Sequence, residues 1–493
     1  MEDINSLLGD WGRFQKRLFV LLALPVALMG FQTMMVIIIF AVPDHRCQLQ
    51  QLENDTFDIR SGYHRALVDS AIPLTTKDGV ETYDQCHVYA DSNGTHGNRS
   101  SDLIGCSSWV FDHSDFESTV MTQFNLVCDK KDFRAHFNMI NMAGVFVGSP
   151  LVGFLCDWMG RKPSYFVCLL ILTVVGTISA FPPSVPVFLV YRFLSGVANI
   201  ALEVVGPSKR TFASSLLAVV WLVGPFLVAG LSYVVKDWWK IQIISSAPLV
   251  LSFATWWLIP ESPRWLLSEG RIVQGVGVIR KIARVNKIAL PPVLGSLEES
   301  DEQPKAKEGA SKLLKYPNLV VRTLIIFFNW AVVTMAYYGL SLNVSNLVGN
   351  VRVNFMLSNT VELVGYVAAW ILLDRVGRKR LHCGFMLLAG SAMLATIPTV
   401  IFGGTELQWL TTALAMVGKL GVSASFSVIY LMSAELYPTV IRNFGMGCSS
   451  TVARVGSAVS PYIADLGLYI EGSFGRALPL IVFGGLAVTA GLL

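Results

Sequence analysis

The stretches CDWMGRKPS (residues 156–164) and LLDRVGRKR (372–380) write one charged phrase twice, Asp-x-x-Gly-Arg-Lys, in a chain that is otherwise apolar. The copies start at Asp157 and Asp374, close to half of the 493 residues apart. A repeat at that distance indicates two related halves. A second repeat agrees with the first. EVVGPSKR separates Glu203 from Arg210 by the same spacing that ELYPTVIR puts between Glu435 and Arg442.

The chain is 53% hydrophobic and 15% charged, with a mean hydropathy of +0.54. A soluble domain is nearer a quarter charged, so the composition points to the bilayer. The net charge of +4 is too small to argue for a nucleic-acid partner. Apolar runs predict twelve spans, near 17–42, 138–156, 163–182, 185–203, 211–235, 240–259, 318–340, 353–373, 382–402, 407–432, 445–468 and 476–493. Inside hydrocarbon every amide must be bonded within its segment, so these runs are read as helices. The opening run is too long for the apolar core of a signal peptide.

Basic residues set the orientation. Arg13, Lys16, Arg17, Arg161, Lys162, Lys209, Arg378, Lys379 and Arg442 fall on one side of the membrane if both termini, beginning with residues 1–16, are cytoplasmic. The long 260–317 segment lies there too, with ten Lys/Arg against seven Asp/Glu. The opposite side carries the loop 43–135, with eight Lys/Arg against fifteen Asp/Glu. This loop holds the sequons at Asn54, Asn93 and Asn98, and the cysteines Cys47, Cys86, Cys106 and Cys128. Four cysteines in an oxidising compartment predict two disulfides with three possible connectivities. The loop reads as a folded, glycosylated outer cap.

Asp157 ends span 2 and Asp374 ends span 8, which correspond if six helices make one half. Gly160 and Gly377 allow a tight turn, the basic residues stay at the headgroups, and the aspartate caps a helix or pairs with a base. On these motifs the chain resembles the major facilitator superfamily. YRFLSG, PESPRWLLSEGR (260–271), YYGLSLNVSNLVGN (337–350), AELYPTVIRN (434–443), STVARVGSAVSP (450–461) and the outer loop resemble its organic cation, anion and carnitine carriers. The resemblance covers nearly the whole chain. It implies an all-α membrane protein in which two six-helix bundles, 17–259 and 318–493, rock about a central site, with 260–317 joining them. It further implies that Asp157, Arg161, Asp374 and Arg378 hold an inner gate, with Glu203, Arg210, Glu435 and Arg442 as partners.

Charges inside spans are costly and mark candidate sites. Four stand out: Arg192, Glu362, Lys419 and Arg454. Each also has a plain structural reading, as half of an ion pair inside the bundle. By resemblance Glu362 faces the cavity and attracts an ammonium group. Arg454 sits where anion and carnitine carriers often have arginine, whose fork suits a carboxylate. The two agree if the cargo is a carnitine-like zwitterion; a plain cation would leave Arg454 free to pair with the glutamate. Phe31, Trp330, Tyr338, Phe426 and Tyr430 are candidates for a cation-π wall. No P-loop or metal-binding cluster appears, so neither ATP nor a cofactor is expected, and nothing suggests an enzyme.

The halves differ in one respect. Asp157 and Glu203 are 46 residues apart, whereas Asp374 and Glu435 are 61 apart. By comparison with the family, helix 4 lacks roughly nine residues near Ile200–Ala201, and the chain ends barely through helix 12. The expected cargo is a small organic cation or zwitterion crossing the plasma membrane. An organic anion exchanger is the alternative within transport. A shortened, non-transporting receptor or assembly partner is the alternative outside it.

Overall fold

The computed structural model describes residues 12–49, 51–52, 55–77, 80–90, 102–199, 211–288, 317–347, 349–403, 406–437, 442–470 and 473–493. The membrane helices in chain order are α1 (Arg13–Met34, continued by Val36–Ile39), α2 (Phe133–Met159), α3 (Arg161–Ile178), α4 (Val185–Asn199), α5 (Thr211–Val234) and α6 (Trp238–Ser246). The second half holds α7 (Pro317–Asn343), α8 (Val351–Val376), α9 (Arg378–Leu394, continued by Thr396–Phe402), α10 (Gln408–Leu436), α11 (Arg442–Ala464) and α12 (Ser473–Leu492).

Among the described residues, nine helices are long and apolar enough to cross a membrane. The other three expected spans depart from that pattern for separate reasons. α4 shows only 15 described residues, about 22 Å of helix rise against a hydrocarbon core of about 30 Å. The Ile200–Ala201 junction lies outside the described residues. α6, expected over 240–259, is α-helical only to Ser246 and continues as 3₁₀-helix over Ala247–Trp257. Pro248 stands at the start of the 3₁₀ stretch, where it has no N–H to give to the preceding turn. α11 is rich in glycine and serine and carries Arg454; small residues suit a helix packed against other helices more than against lipid.

Packing repeats with a period of six helices. α1 packs on α5 and α2 on α4; in the second half α7 packs on α11 and α8 on α10. Between the halves, α2 meets α11 and α5 meets α8. Each interface maps onto its counterpart, as an internal two-fold requires. In the α2–α4 contact Gly144 and Gly196 let the backbones touch: a Cβ on Gly144 would lie 2.2 Å from the Phe193 carbonyl oxygen.

The 43–135 segment caps one end of the bundle. It is a small fold with a helix, Gly62–Ala71, and three antiparallel ribbons: β1 (His45–Cys47) with β6 (Trp109–Phe111), β2 (Leu74–Lys77) with β3 (Val80–Tyr83), and β4 (His87–Tyr89) with β5 (Leu103–Gly105). Of the three connectivities open in the sequence, the disulfides are Cys47–Cys106 and Cys86–Cys128. The sequons Asn54, Asn93 and Asn98 lie outside the described residues. Inside the cap, the buried Asp55 carboxylate accepts hydrogen bonds from Arg46 Nη1 at 2.9 Å and the Leu49 amide at 2.8 Å, with His64 Nε2 at 3.1 Å. Burial pushes its pKa up, but the Arg46 hydrogen bond, the Leu49 amide and the Arg46 charge outweigh it and hold the carboxyl below the ordinary range.

At the other end, helices Pro263–Ser268 and Ile272–Asn286 follow α6, and Asn286 Oδ1 accepts from the Phe14 amide at 2.8 Å. That end is called the linker end below.

Candidate functional site

Glu362, on α8, and Lys419, on α10, form an ion pair of 3.1 Å with both side chains buried. The glutamate is further fixed by two phenols. Tyr337 of α7 donates to Oε1 at 2.7 Å, and Tyr366, one helical turn beyond Glu362, donates at 2.8 Å. The Lys419 ammonium donates to Ser341 Oγ at 2.5 Å and to the Tyr337 carbonyl at 3.4 Å. It also stands 3.8 Å from the centroid of the Tyr337 ring. Two charges taken out of water are tolerable only when their remaining hydrogen-bond capacity is met, and here it largely is.

Aromatic rings continue from this pair toward the linker end. Phe426 stacks on Tyr337 at 5.0 Å, Tyr430 meets Phe426 edge-on at 5.7 Å, and Trp330 meets Tyr430 at 4.5 Å. The Trp330 indole N–H donates to Ser433 Oγ at 2.9 Å, and Tyr338 packs edge-on against Tyr337 at 5.2 Å. Trp221 of α5 brings the first half to the same place, 6.4 Å from Tyr337. A carboxylate, an ammonium and a run of π faces thus lie side by side in the bundle interior. That chemistry suits an organic ammonium group.

The structure brings together Glu362, Lys419, Trp330, Tyr338, Phe426 and Tyr430. Phe31, 3% exposed, is buried in the apolar cluster that also holds Trp330 and Tyr337. Arg454 is buried on α11, where Thr334 of α7 donates to the neighbouring Ala453 carbonyl at 2.8 Å. Glu362 is paired with Lys419. Tyr366 and Ser341 complete the site without having stood out, since a tyrosine or serine in an apolar helix carries no signal of its own.

At the linker end both repeated turns use glycine in a backbone region almost confined to it: Gly160 has φ 100° and ψ 164°, Gly377 φ 86° and ψ 150°. Glu261, from PESPRW, caps α3 by accepting from the amides of Arg161 at 3.0 Å and Lys162 at 3.2 Å. Asp157 contributes its backbone carbonyl, which accepts from the Trp265 indole at 3.2 Å. In the second half Arg378 pairs with Glu435 at 3.0 Å, while Asp374 ends α8 beside the turn. Glu203 and Arg210 lie outside the described residues, as does the side chain of Arg442.

At the capped end the halves are tied together. Arg134 of α2 pairs with Asp465, just after α11, at 2.5 Å. Tyr469 donates to Asp132 at 2.7 Å, and the Lys131 ammonium lies 5.0 Å from the Tyr469 ring. Arg352, near the start of α8, pairs with Asp115 of the cap at 3.2 Å and lies over the Phe116 and Tyr233 rings. Sequence reading overlooked these residues because charges at helix ends are ordinary.

The family profile described as "Sugar (and other) transporter" matches residues 134–493. The "Organic cation transporter protein" of Drosophila melanogaster is 37% identical across all of this chain and 90% of its own length. "Organic cation/carnitine transporter 2" of Homo sapiens is 33% identical over 100% of this chain and 90% of its own. Among solved structures, the inward-open xylose transporter XylE from E. coli is similar with a TM-score of 0.57 at 14% identity, covering 97% of this chain and 94% of that one. The same symporter bound to 6-bromo-6-deoxy-D-glucose scores 0.55 at 18% identity, covering 74% of this chain and 86% of that one. The twelve-helix repeat, the paired turns and these full-length likenesses place the chain in the major facilitator superfamily, as a multi-pass membrane transporter of the organic cation and carnitine transporter family.

Proposed function

We propose that this chain carries small organic cations or carnitine-like zwitterions across the plasma membrane by alternating access, with both termini in the cytoplasm. One observation carries the reading: the Lys419 ammonium sits 3.1 Å from Glu362 and 3.8 Å from the Tyr337 ring centre. The protein's own ammonium group thus occupies the setting a cargo ammonium would take. A cargo cation competes with Lys419 for Glu362 and slides along Phe426 and Tyr430. The carboxylate of a zwitterion then meets the released Lys419, with Arg454 on the neighbouring helix as a second partner.

The ties at the capped end cross between halves, whereas Arg378–Glu435 and Glu261 with Arg161 each stay within one half. This pattern supports a chamber shut on the cap side and open toward the linker. In the opposite state Asp157, Arg161, Asp374, Arg378, Glu435 and Arg442 close the inner side. The disulfides and the acidic cap suit an extracellular face.

Uptake of labelled tetraethylammonium, carnitine and para-aminohippurate, in cells with confirmed surface expression, tests the reading. Tetraethylammonium or carnitine uptake abolished by Glu362→Gln is the expected result. Uptake of para-aminohippurate alone supports anion exchange. Absence of uptake for all three supports the non-transporting alternative.

A further inference from the structure

Arg192 lies in the middle of α4, only 7% exposed. Among the described residues no carboxylate is within ion-pair distance of its guanidinium, and its Nε has no hydrogen-bond acceptor. Its one favourable contact of charge is the Phe40 ring, 5.5 Å away, which offsets only part of a buried cation's desolvation. The guanidinium lines a small polar cavity inside the first half, with Gln32, Asn141, Ser195, Asn199 and Gln242. All four amides there donate one N–H to the protein, Asn199 to Thr33 Oγ1 at 3.5 Å. Gln32 donates to Ser246 Oγ at 2.9 Å, Asn141 to the Arg192 carbonyl at 2.9 Å, and Gln242 to the Gly176 carbonyl at 3.0 Å. The guanidinium and the Ser195 hydroxyl line the cavity as donors, and the Asn199 side-chain carbonyl oxygen is a buried acceptor there with no hydrogen-bond partner among the described residues.

We propose that this cavity is a binding site for a small inorganic anion of the halide class, which supplies the counter-charge that Arg192 lacks among the described residues. A buried cation in hydrocarbon requires a partner, and a cavity large enough for little more than a water-sized group suits a monatomic anion better than an organic carboxylate. A metal cation is disfavoured because its nearest charge would be the guanidinium. The site belongs to the opposite half from Glu362 and stands whether or not the chain carries cations.

The test is thermal unfolding of the purified full-length protein in detergent, titrating sodium chloride or bromide against sodium gluconate at constant ionic strength. The expected result is a saturable rise in melting temperature with halide, matched by broadening of the chloride-35 NMR line. Arg192→Gln should abolish the halide dependence. Should that variant fail to fold, Ser195→Ala decides: it keeps the charge and should weaken halide affinity several-fold at an unchanged melting temperature in gluconate. The proposal is overturned if the wild-type curve is flat in halide, if the variants titrate like wild type, or if replacing sodium by potassium at fixed chloride removes the effect.

Discussion

Lys419 and Glu362 stabilise each other only as a pair, and this gives the sharpest prediction at the residue scale. Neutralising one partner leaves the other buried without a counter-charge, at a cost of about 3–5 kcal/mol. Glu362→Gln and Lys419→Met should therefore each lower the melting temperature in detergent, and the double variant should recover most of the loss. A double variant as unstable as the sum of the singles would break the coupling. Arg454→Asp should shift preference toward cations and away from zwitterions; an unchanged uptake profile would remove Arg454 from the site. The sequence marked each of these charges, because a lone charge in a span is conspicuous. Their partnership was hidden, since it is fixed by where α8 and α10 cross and by which turn of α7 brings Tyr337 and Ser341 between them.

At the scale of elements, the two turns written with the same phrase differ in their surroundings. A Cβ on Gly160 would lie 2.7 Å from Glu261 Oε2, whereas one on Gly377 meets nothing within 4 Å. Both positions also carry backbone strain of about 1–3 kcal/mol for any other residue. Gly160→Ala should thus destabilise more than Gly377→Ala, read as the difference between their thermal melts, and equal losses would show that the Glu261 cap moves aside freely. The phrase announced the turns; the cap on α3 comes from residues far along the chain. The sixth span gives a similar lesson, for an apolar run predicted one continuous helix that changes to 3₁₀ at Ala247.

For the whole molecule, the proposed closure at the cap side rests on the few described ties between the halves. Asp465→Asn removes the charge that meets Arg134, and should speed labelling, from outside, of a Leu342→Cys probe that shares the small cavity beneath this tie with both residues. An unchanged rate would take the tie out of the closure. The cap itself should be acid-labile. Because the folded Asp55 carboxyl lies below its ordinary value, its contribution is fully present above about pH 4 and is lost as pH falls through the folded value. Protease nicking of the cap should therefore rise on acidification in wild type, and Asp55→Asn should show the same susceptibility already at neutral pH.

The order of spans, the duplicated halves, the membrane setting and the buried charges were all determined by the sequence. Each rests on local rules: an apolar run must bond its own amides, a charge in such a run must have a reason, and a repeated phrase repeats its turn. The tertiary structure decided which charges meet, which of three disulfide connectivities forms, and at which end the two halves are tied to each other. Those are contacts between segments distant in the chain, and hydropathy, which is summed along one helix at a time, carries no information about the crossing of two.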